Sequence, residues 1–493
     1  MAAVVEHLPN APAARRRRMM AGRLDRSAGF PVLRRVALAL VGVTLLVGGL
    51  PDRVTAAPKP NFVLIVTDDL DRATLDVRPA IMPNLLRLIG DAGATFTNAF
   101  FNVPLCAPTR ATILTGRYAQ NTKVLNNEAP DGGFVAFRAN GGESSTIATW
   151  LRAAGYDTGL FGKYINNYPD GVASNYVPPG WSTWVALPNI GSVGYVTDYL
   201  ARRSVEFIDQ ASRAGRPFLV MLNPLAPHPG TKPASRHARL FANAVAPRTA
   251  SFNEADVRDK PPFLRLPLMG DGRIFGLDKE YRNRLRTLQA VDEAVLAIHG
   301  RIASLGQLDN TYFVFTSDNG FHLGQHRLPG GKETSFDEDI RMPLLASGPG
   351  IPAGKIVREL VSDADLAPTI AAWASVTPAS VVDGRSLVPV LGTAAPGTWR
   401  RSLAIAHWNN GGDSPDRILQ DFVGVRTLRY SYARYPAFPG VRSVYDVVSD
   451  PDQLVNLDQT ATPALLTQLD GLATALATCA GASCRTRENA AAP

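Results

Sequence analysis

Apolar residues recur along this chain in two rhythms. Short, nearly continuous apolar runs occur at NFVLIVTDD (61–69), GYDTGLFGK (155–163), PFLVMLNP (217–224), TYFVFTSDNG (311–320) and MPLLASGPG (342–350). Each reads as a strand covered on both faces. Between them, apolar positions return every three or four residues, which predicts helices over 83–92, 145–154, 197–213, 279–304 and 365–375. Strand–helix alternation with continuously apolar strands predicts an α/β fold, a large and mainly parallel sheet sandwiched by helices. The rhythm changes at LGTAAPGTWRR (391–401). Beyond it, LAIAHW, FVGVRTLRYSYARY and SVYDVV predict a short antiparallel sheet, and 463–477 a last helix. The expected division is a large domain over 58–392 and a smaller C-terminal subdomain over 393–493.

Composition changes this picture in one respect. The net charge of +8 suggests a nucleic-acid partner, but nine arginines against three acids lie within residues 1–56. The remaining body is close to neutral, so no basic stripe is implied and a nucleic-acid partner is excluded. Arg34 and Arg35 precede a 15-residue uncharged run, Val36–Leu50, which is followed by small residues at Thr55, Ala56 and Ala57. A basic flank, a short apolar run and small residues make residues 1–57 an export leader. The run is short against the ~20 residues of a membrane span, and a leader left uncleaved would be an anchor instead. Three cysteines occur. Cys479 and Cys484 are close enough in an exported chain to form a disulfide, which leaves Cys106 to be explained.

Two strand ends share one pattern: VLIVT runs into Asp68-Asp69, and YFVFTS into Asp318-Asn319. Either pair alone would be a turn or a helix cap. Side by side at the carboxyl ends of parallel strands, where ligand sites form, they gather three carboxylates and an amide. Such a group needs a cation, and all-oxygen ligands favour one Ca²⁺, or Mg²⁺, per chain.

Between these pairs lies VPLCAPTRATILTGRY (103–118). Cys106-Ala107-Pro108-Thr109-Arg110 followed by Leu114-Thr115-Gly116-Arg117 resembles the C-x-P-x-R and LTGR elements of the sulfatase family. The resemblance continues from about residue 60 to 460. Gly162-Lys163-Tyr164, Ala226-Pro227-His228, Gly331-Lys332 and YDVVSDPDQLVNL are each similar to a family motif. It implies the alkaline-phosphatase-like fold and sulfate-ester hydrolysis. It also implies a nucleophile made when a formylglycine-generating enzyme oxidises Cys106 to formylglycine. The metal ligands would be Asp68, Asp69, Asp318, Asn319 and the modified Cys106. Arg110 would hold the formylglycine, while Lys163, His228 and Lys332 would bind sulfate, with His228 or Lys332 protonating the leaving alcohol.

One departure stands out. Many members carry a His shortly after the first lysine, where this chain has Ile165-Asn166-Asn167-Tyr168. With VPPGWSTWVALP, Ala246-Pro247-Arg248 and SDNGFHLGQ, this variant resembles the branch of N-acetylglucosamine-6-sulfatases and heparan endosulfatases. Asn166 and His322 then become candidate substrate contacts, and the substrate a sulfated glycan or small molecule. The competing readings are a phosphate- or phosphonate-ester hydrolase of the same superfamily, and a non-catalytic sulfated-glycan binder. The lysine and Ala-Pro-His motifs favour sulfate, and a binder would need no oxidisable cysteine.

Overall fold

In the computed structural model, the run NFVLIVT is strand β1 (Asn61–Thr67), buried at every residue. Phe62, Leu64 and Val66 enter one hydrophobic core, while Val63 and Ile65 enter another. Successive side chains of a strand point to opposite faces, so a strand apolar throughout requires cover on both. The structure describes residues 58–77, 80–187, 191–394, 397–408 and 419–493; the predicted export leader lies outside them. No helix among the described residues is long and apolar enough to cross a membrane.

The sheet also contains β2 (Ala94–Phe96), β3 (Asp157–Gly162), β4 (Thr183–Ala186), β5 (Phe218–Asn223), β6 (Thr311–Ser317), β7 (Leu344–Ser347) and β8 (Lys355–Val357). Their order is β4-β3-β5-β1-β6-β7-β2-β8. Every pair is parallel except those made by β7, which runs antiparallel to β6 and β2. Helices α1 (Cys106–Thr115), α2 (Ile147–Ala153) and α5 (Leu366–Trp373) contribute to the core of Phe62. The other core takes Leu200, Phe207 and Ile208 of α3 (Val196–Arg213) and Leu285, Leu288 and Val295 of α4 (Asp271–Ser304). The mainly parallel sheet with helices on both faces is therefore present.

Local differences from the predicted elements have physical causes. Helix α4 begins eight residues before the predicted 279, because its first turns carry glycines and polar residues that hide the apolar rhythm. Residues 83–92 form a short helix, Pro83–Leu85, that continues as a π-turn over Leu86–Gly90. Asp292 of α4 accepts the backbone N–H groups of Asn84 and Leu85 at 3.2 and 2.8 Å and fixes the start of that segment.

The second sheet, β9 (Ser402–His407), β10 (Phe422–Thr427), β11 (Tyr430–Arg434) and β12 (Arg442–Asp446), is antiparallel in the order β12-β11-β10-β9. Leu469, Leu472 and Leu476 of α6 (Pro463–Ala477) pack on its Val425, Tyr432 and Val444. Cys479 and Cys484 are joined in a disulfide between α6 and α7 (Ala482–Glu488).

A buried charge network ties this last helix to the large sheet's helices. Glu488 accepts hydrogen bonds from Tyr118 Oη and, at 2.7 Å, from Arg385 Nη2. The Arg400 guanidinium lies 3.0 Å from Glu488 and grips both oxygens of Asp365. Arg400, Asp365 and Glu488 have fully buried side chains. Removing one partner of such a network strands the other charges away from water. Arg400→Ala is therefore expected to lower unfolding stability by about 3–5 kcal/mol, read from chemical denaturation. A loss below ~1 kcal/mol, the worth of an exposed pair, would show that the network is not a structural tie.

Candidate active site

Parallel pairing of β1 with β6 sets Thr67 beside Ser317, so that Asp68-Asp69 and Asp318-Asn319 leave the sheet together. The Asp318 N–H donates to Thr67 O at 3.1 Å, and Asp69 N–H to Asp318 Oδ1 at the same distance. Asp69 adopts φ +67°, a left-handed conformation that costs a non-glycine residue about 1 kcal/mol or more. Neighbours hold it there. The Asp69 carbonyl accepts from Arg284 Nη2 of α4, and the following N–H, of Leu70, donates to Ser317 Oγ at 2.8 Å.

Helix α1 opens at Cys106, whose side chain thus sits at the positive end of a ten-residue helix. Leu105, its N-cap, supplies no side-chain cap; Asn127 Oδ1 accepts the N–H of Ala107 instead, at 2.9 Å. Arg110 lies four residues on, on the same helix face, which explains the spacing of the motif. Cys106 Sγ lies 3.5 Å from Asp68 Oδ1. Arg110 Nε donates to Asp318 Oδ2 at 2.8 Å, its Nη2 is 3.8 Å from Asp68, and its Nη1 donates to the Lys163 carbonyl. The second element, Leu114–Arg117, ends the helix. Gly116 takes φ +71°, where a side chain would also meet Pro368 and Val382.

The remaining cations come from adjacent strand ends. Lys163 follows β3, and its Nζ donates to Asp68 Oδ2 at 2.8 Å. Lys332, in the loop after β6, reaches Asp69 Oδ1 at 2.6 Å, Cys106 Sγ at 2.8 Å and Asn319 Oδ1 at 3.4 Å. His228 follows β5; its Nε2 is 3.8 Å from Asp69 Oδ2. Its Nδ1 is 2.8 Å from the Pro229 carbonyl, which can only accept, so Nδ1 carries a proton and Nε2 faces the carboxylates. Strands β3, β5, β1 and β6 are consecutive in the sheet, and one edge of it delivers the whole set.

Two predicted residues make no hydrogen bond to these carboxylates among the described residues. Asn166 has a buried side-chain oxygen without a hydrogen-bond partner, and its backbone carbonyl accepts from Phe134 N–H. His322 gives Nδ1 to both oxygens of Asp339, at 2.9 and 3.0 Å, and pairs its backbone with Gly331. That pairing fixes the residue before Lys332. Sequence reasoning missed Arg284, which is fully buried and also reaches Pro227 O. An arginine on the otherwise apolar face of Tyr281, Leu285 and Leu288 was its signal. It also missed Asn223, whose Nδ2 donates to Lys163 O at 2.7 Å, and Asp339. Neither lies in a motif.

Burial by itself would raise the Asp68 and Asp69 carboxyls, but cations outweigh it and hold both below the usual carboxylate range. Lys163, Arg110 and Lys332 do so at Asp68, and Lys332 with His228 at Asp69. Burial, with Asp318 and Asp68, pushes the Cys106 thiol up to about 12. Three carboxylates face three cations, so the cluster is close to neutral as it stands. A divalent cation would leave it with an excess of two positive charges, suited to an anionic substrate. One side-chain atom each from Asp68, Asp69, Asp318 and Cys106 lies within 4.8 Å of the others. That span is about twice a Ca²⁺–O bond of ~2.4 Å, and the donors are mostly oxygen, so the set fits a hard cation. Asp68, Asp69, Asp318 and the Asn319 amide oxygen would hold it.

The chain is similar to known proteins. A family model described as sulfatase matches residues 60–376, and one described as N-sulphoglucosamine sulphohydrolase, C-terminal, matches 324–476. Human N-acetylglucosamine-6-sulfatase is 33% identical over 479 residues, spanning 87% of this chain and 86% of that protein. An arylsulfatase of Volvox carteri is 31% identical, spanning 91% of this chain and 78% of its own. A protein solved in complex with its substrate D-glucosamine-2-N,6-O-disulfate superposes with a TM-score of 0.71 at 24% identity. It covers 84% of this chain and 97% of that one, a likeness of fold.

The donor set generates a metal prediction. Calorimetric titration of metal-stripped protein should show one divalent cation per chain. Asp318→Ala should weaken it by more than the ~10–100-fold typical of losing an outer-shell partner. Equal affinity in the variant would remove Asp318 from the ligand set.

Proposed function

This chain belongs to the sulfatase family and hydrolyses sulfate esters, and we propose that Cys106, oxidised to formylglycine, is its nucleophile. The observation that carries this reading is the helix face that sets Cys106 and Arg110 against Asp68 and Asp318. Oxidised and hydrated, residue 106 would offer two hydroxyls on one carbon, one to displace the alcohol from sulfur and one to release sulfate, so that no water attacks sulfur. A bound cation, Ca²⁺ by the all-oxygen donors, with Mg²⁺ the alternative, would polarise sulfate oxygens and favour ionisation of the attacking hydroxyl.

The chain's own side chains supply the rest. Arg110 is bonded to Asp318 and to the Lys163 carbonyl, and it fixes the approach to residue 106. Lys163 and Lys332 hold cationic charge where charge builds on the sulfate oxygens. His228 is the better general acid for the leaving alcohol. Its side chain is 41% exposed against 12% for Lys332, and Nε2 is the nitrogen left to donate when the ring is protonated. The chemistry of the two steps supports the need for oxidation, since an unmodified thiol cannot offer two hydroxyls on one carbon. This reading implies a formylglycine-generating enzyme as a partner during maturation.

The proposed substrate is a sulfated amino sugar of the N-acetylglucosamine-6-sulfate kind, supported by the activity named for the human relative. Aryl sulfates are the second reading, favoured by the name of the algal relative. The arginine-flanked apolar run before residue 57 supports export of the mature enzyme.

Two experiments test this reading. Cys106→Ala should fold and bind metal yet be inactive. Cys106→Ser retains one hydroxyl, so at most one turnover should leave a sulfated serine, seen by mass spectrometry of the peptide containing residue 106. Sustained turnover by Cys106→Ser would take Cys106 out of the mechanism. N-terminal sequencing of exported protein should read from near Ala56–Ala57, whereas an intact leader in the membrane fraction would make it an anchor.

A further inference from the structure

The turn after His228 builds a second feature. The Thr231 N–H donates to the His228 carbonyl at 3.1 Å across Pro229 and Gly230. Gly230 has φ +82°, the value required at the third position of a type II turn. Asn283 of α4 donates Nδ2 to the Thr231 carbonyl at 2.7 Å, which pins the turn to the helix. Lys232 comes next. It is exposed, and among the described residues its ammonium makes no ion pair or hydrogen bond.

His228 and Lys232 line one cleft of about 510 Å³, within the ~300–1,000 Å³ of small-molecule sites. Tyr195, Val196 and Leu225 line it too, and Val196 and Leu225 are each 37% exposed. The cleft thus combines an aromatic ring, open apolar side chains and a free cation. His228 belongs both to it and to the carboxylate cluster. A sulfate bound at His228 would leave its alcohol portion beside this cleft.

We propose that the cleft is the subsite for a sugar chain extending from the sulfated residue, and that Lys232 binds an anionic group on the neighbouring sugar. This rests on the reading of His228 as a sulfate-binding residue. The apolar CH face of a pyranose ring would lie on Val196 and Leu225, and a carboxylate or a second sulfate would meet the Lys232 ammonium. The rigid turn holds Lys232 four residues from His228, so the subsite selects acidic oligosaccharides over neutral ones.

Steady-state kinetics on three disaccharides and a small aryl sulfate test this. Each disaccharide carries a 6-sulfated N-acetylglucosamine, and its neighbouring sugar is neutral, carboxylated or sulfated. Relative to the neutral disaccharide, Lys232→Ala should raise KM for the acidic ones about three- to fivefold, the scale of an exposed ion pair, with kcat unchanged. Lys232→Glu should raise it further. The acidic probe that loses more identifies the anion. A KM shift equal for neutral and acidic disaccharides, or none, would overturn the subsite. Turnover of the aryl sulfate without any disaccharide would overturn it as well. Failure of the wild-type enzyme on all four compounds would instead strike at the sulfatase reading itself.

Discussion

Asp68, Asp69 and Asp318 are buried almost completely, with ligand atoms a few ångströms apart. In water such carboxylates would repel weakly; in a protein interior their repulsion and desolvation would protonate at least one. Arg110, Lys163 and Lys332 prevent this, each bonded to one or more of them. The arginine cannot be neutralised, and its fork spans two acids and a carbonyl. Much of the architecture serves this balance. The parallel order β3-β5-β1-β6 brings the acids and two cationic loops to one edge, and α1 lowers the arginine onto them.

This dependence separates what the sequence discloses from what it hides. Asp68-Asp69 and Asp318-Asn319 are visible because each ends an apolar run, and a parallel sheet makes strand ends converge. The mainly parallel sheet and the antiparallel one downstream follow from the same apolar runs. Helix α1 leaves no such trace. All ten of its residues are buried, so it has no polar face and no amphipathic period. Strands β2 and β8 have three residues each, too few for a rhythm. Arg284, Asn223 and Asp339 act through partners distant in sequence, and no local spacing announces them.

The loop after β6 shows how support and chemistry are divided. Asp339 accepts His322 Nδ1 together with the N–H and hydroxyl of Thr334. It thus ties the two sides of Lys332 to one carboxylate. Farther along, His326 bonds Glu254, which also accepts from the buried Lys260. The loop that carries the lysine reaching Cys106 is therefore held by residues that do not touch that lysine, and less freedom would be lost if it bound an anion as proposed.

The burial of Cys106 also has a consequence in time. In the finished fold its side chain is enclosed, and Tyr118, just beyond the motif, is bonded to Glu488 of the last helix. If Cys106 is oxidised as proposed, the enzyme that does so would have to reach the thiol before the segment is enclosed. The clasp on that segment is complete only after roughly 380 further residues have been made, about 20–80 s at ordinary synthesis rates. The late position of Glu488 would then act as a delay, lengthening the time in which the thiol can be reached.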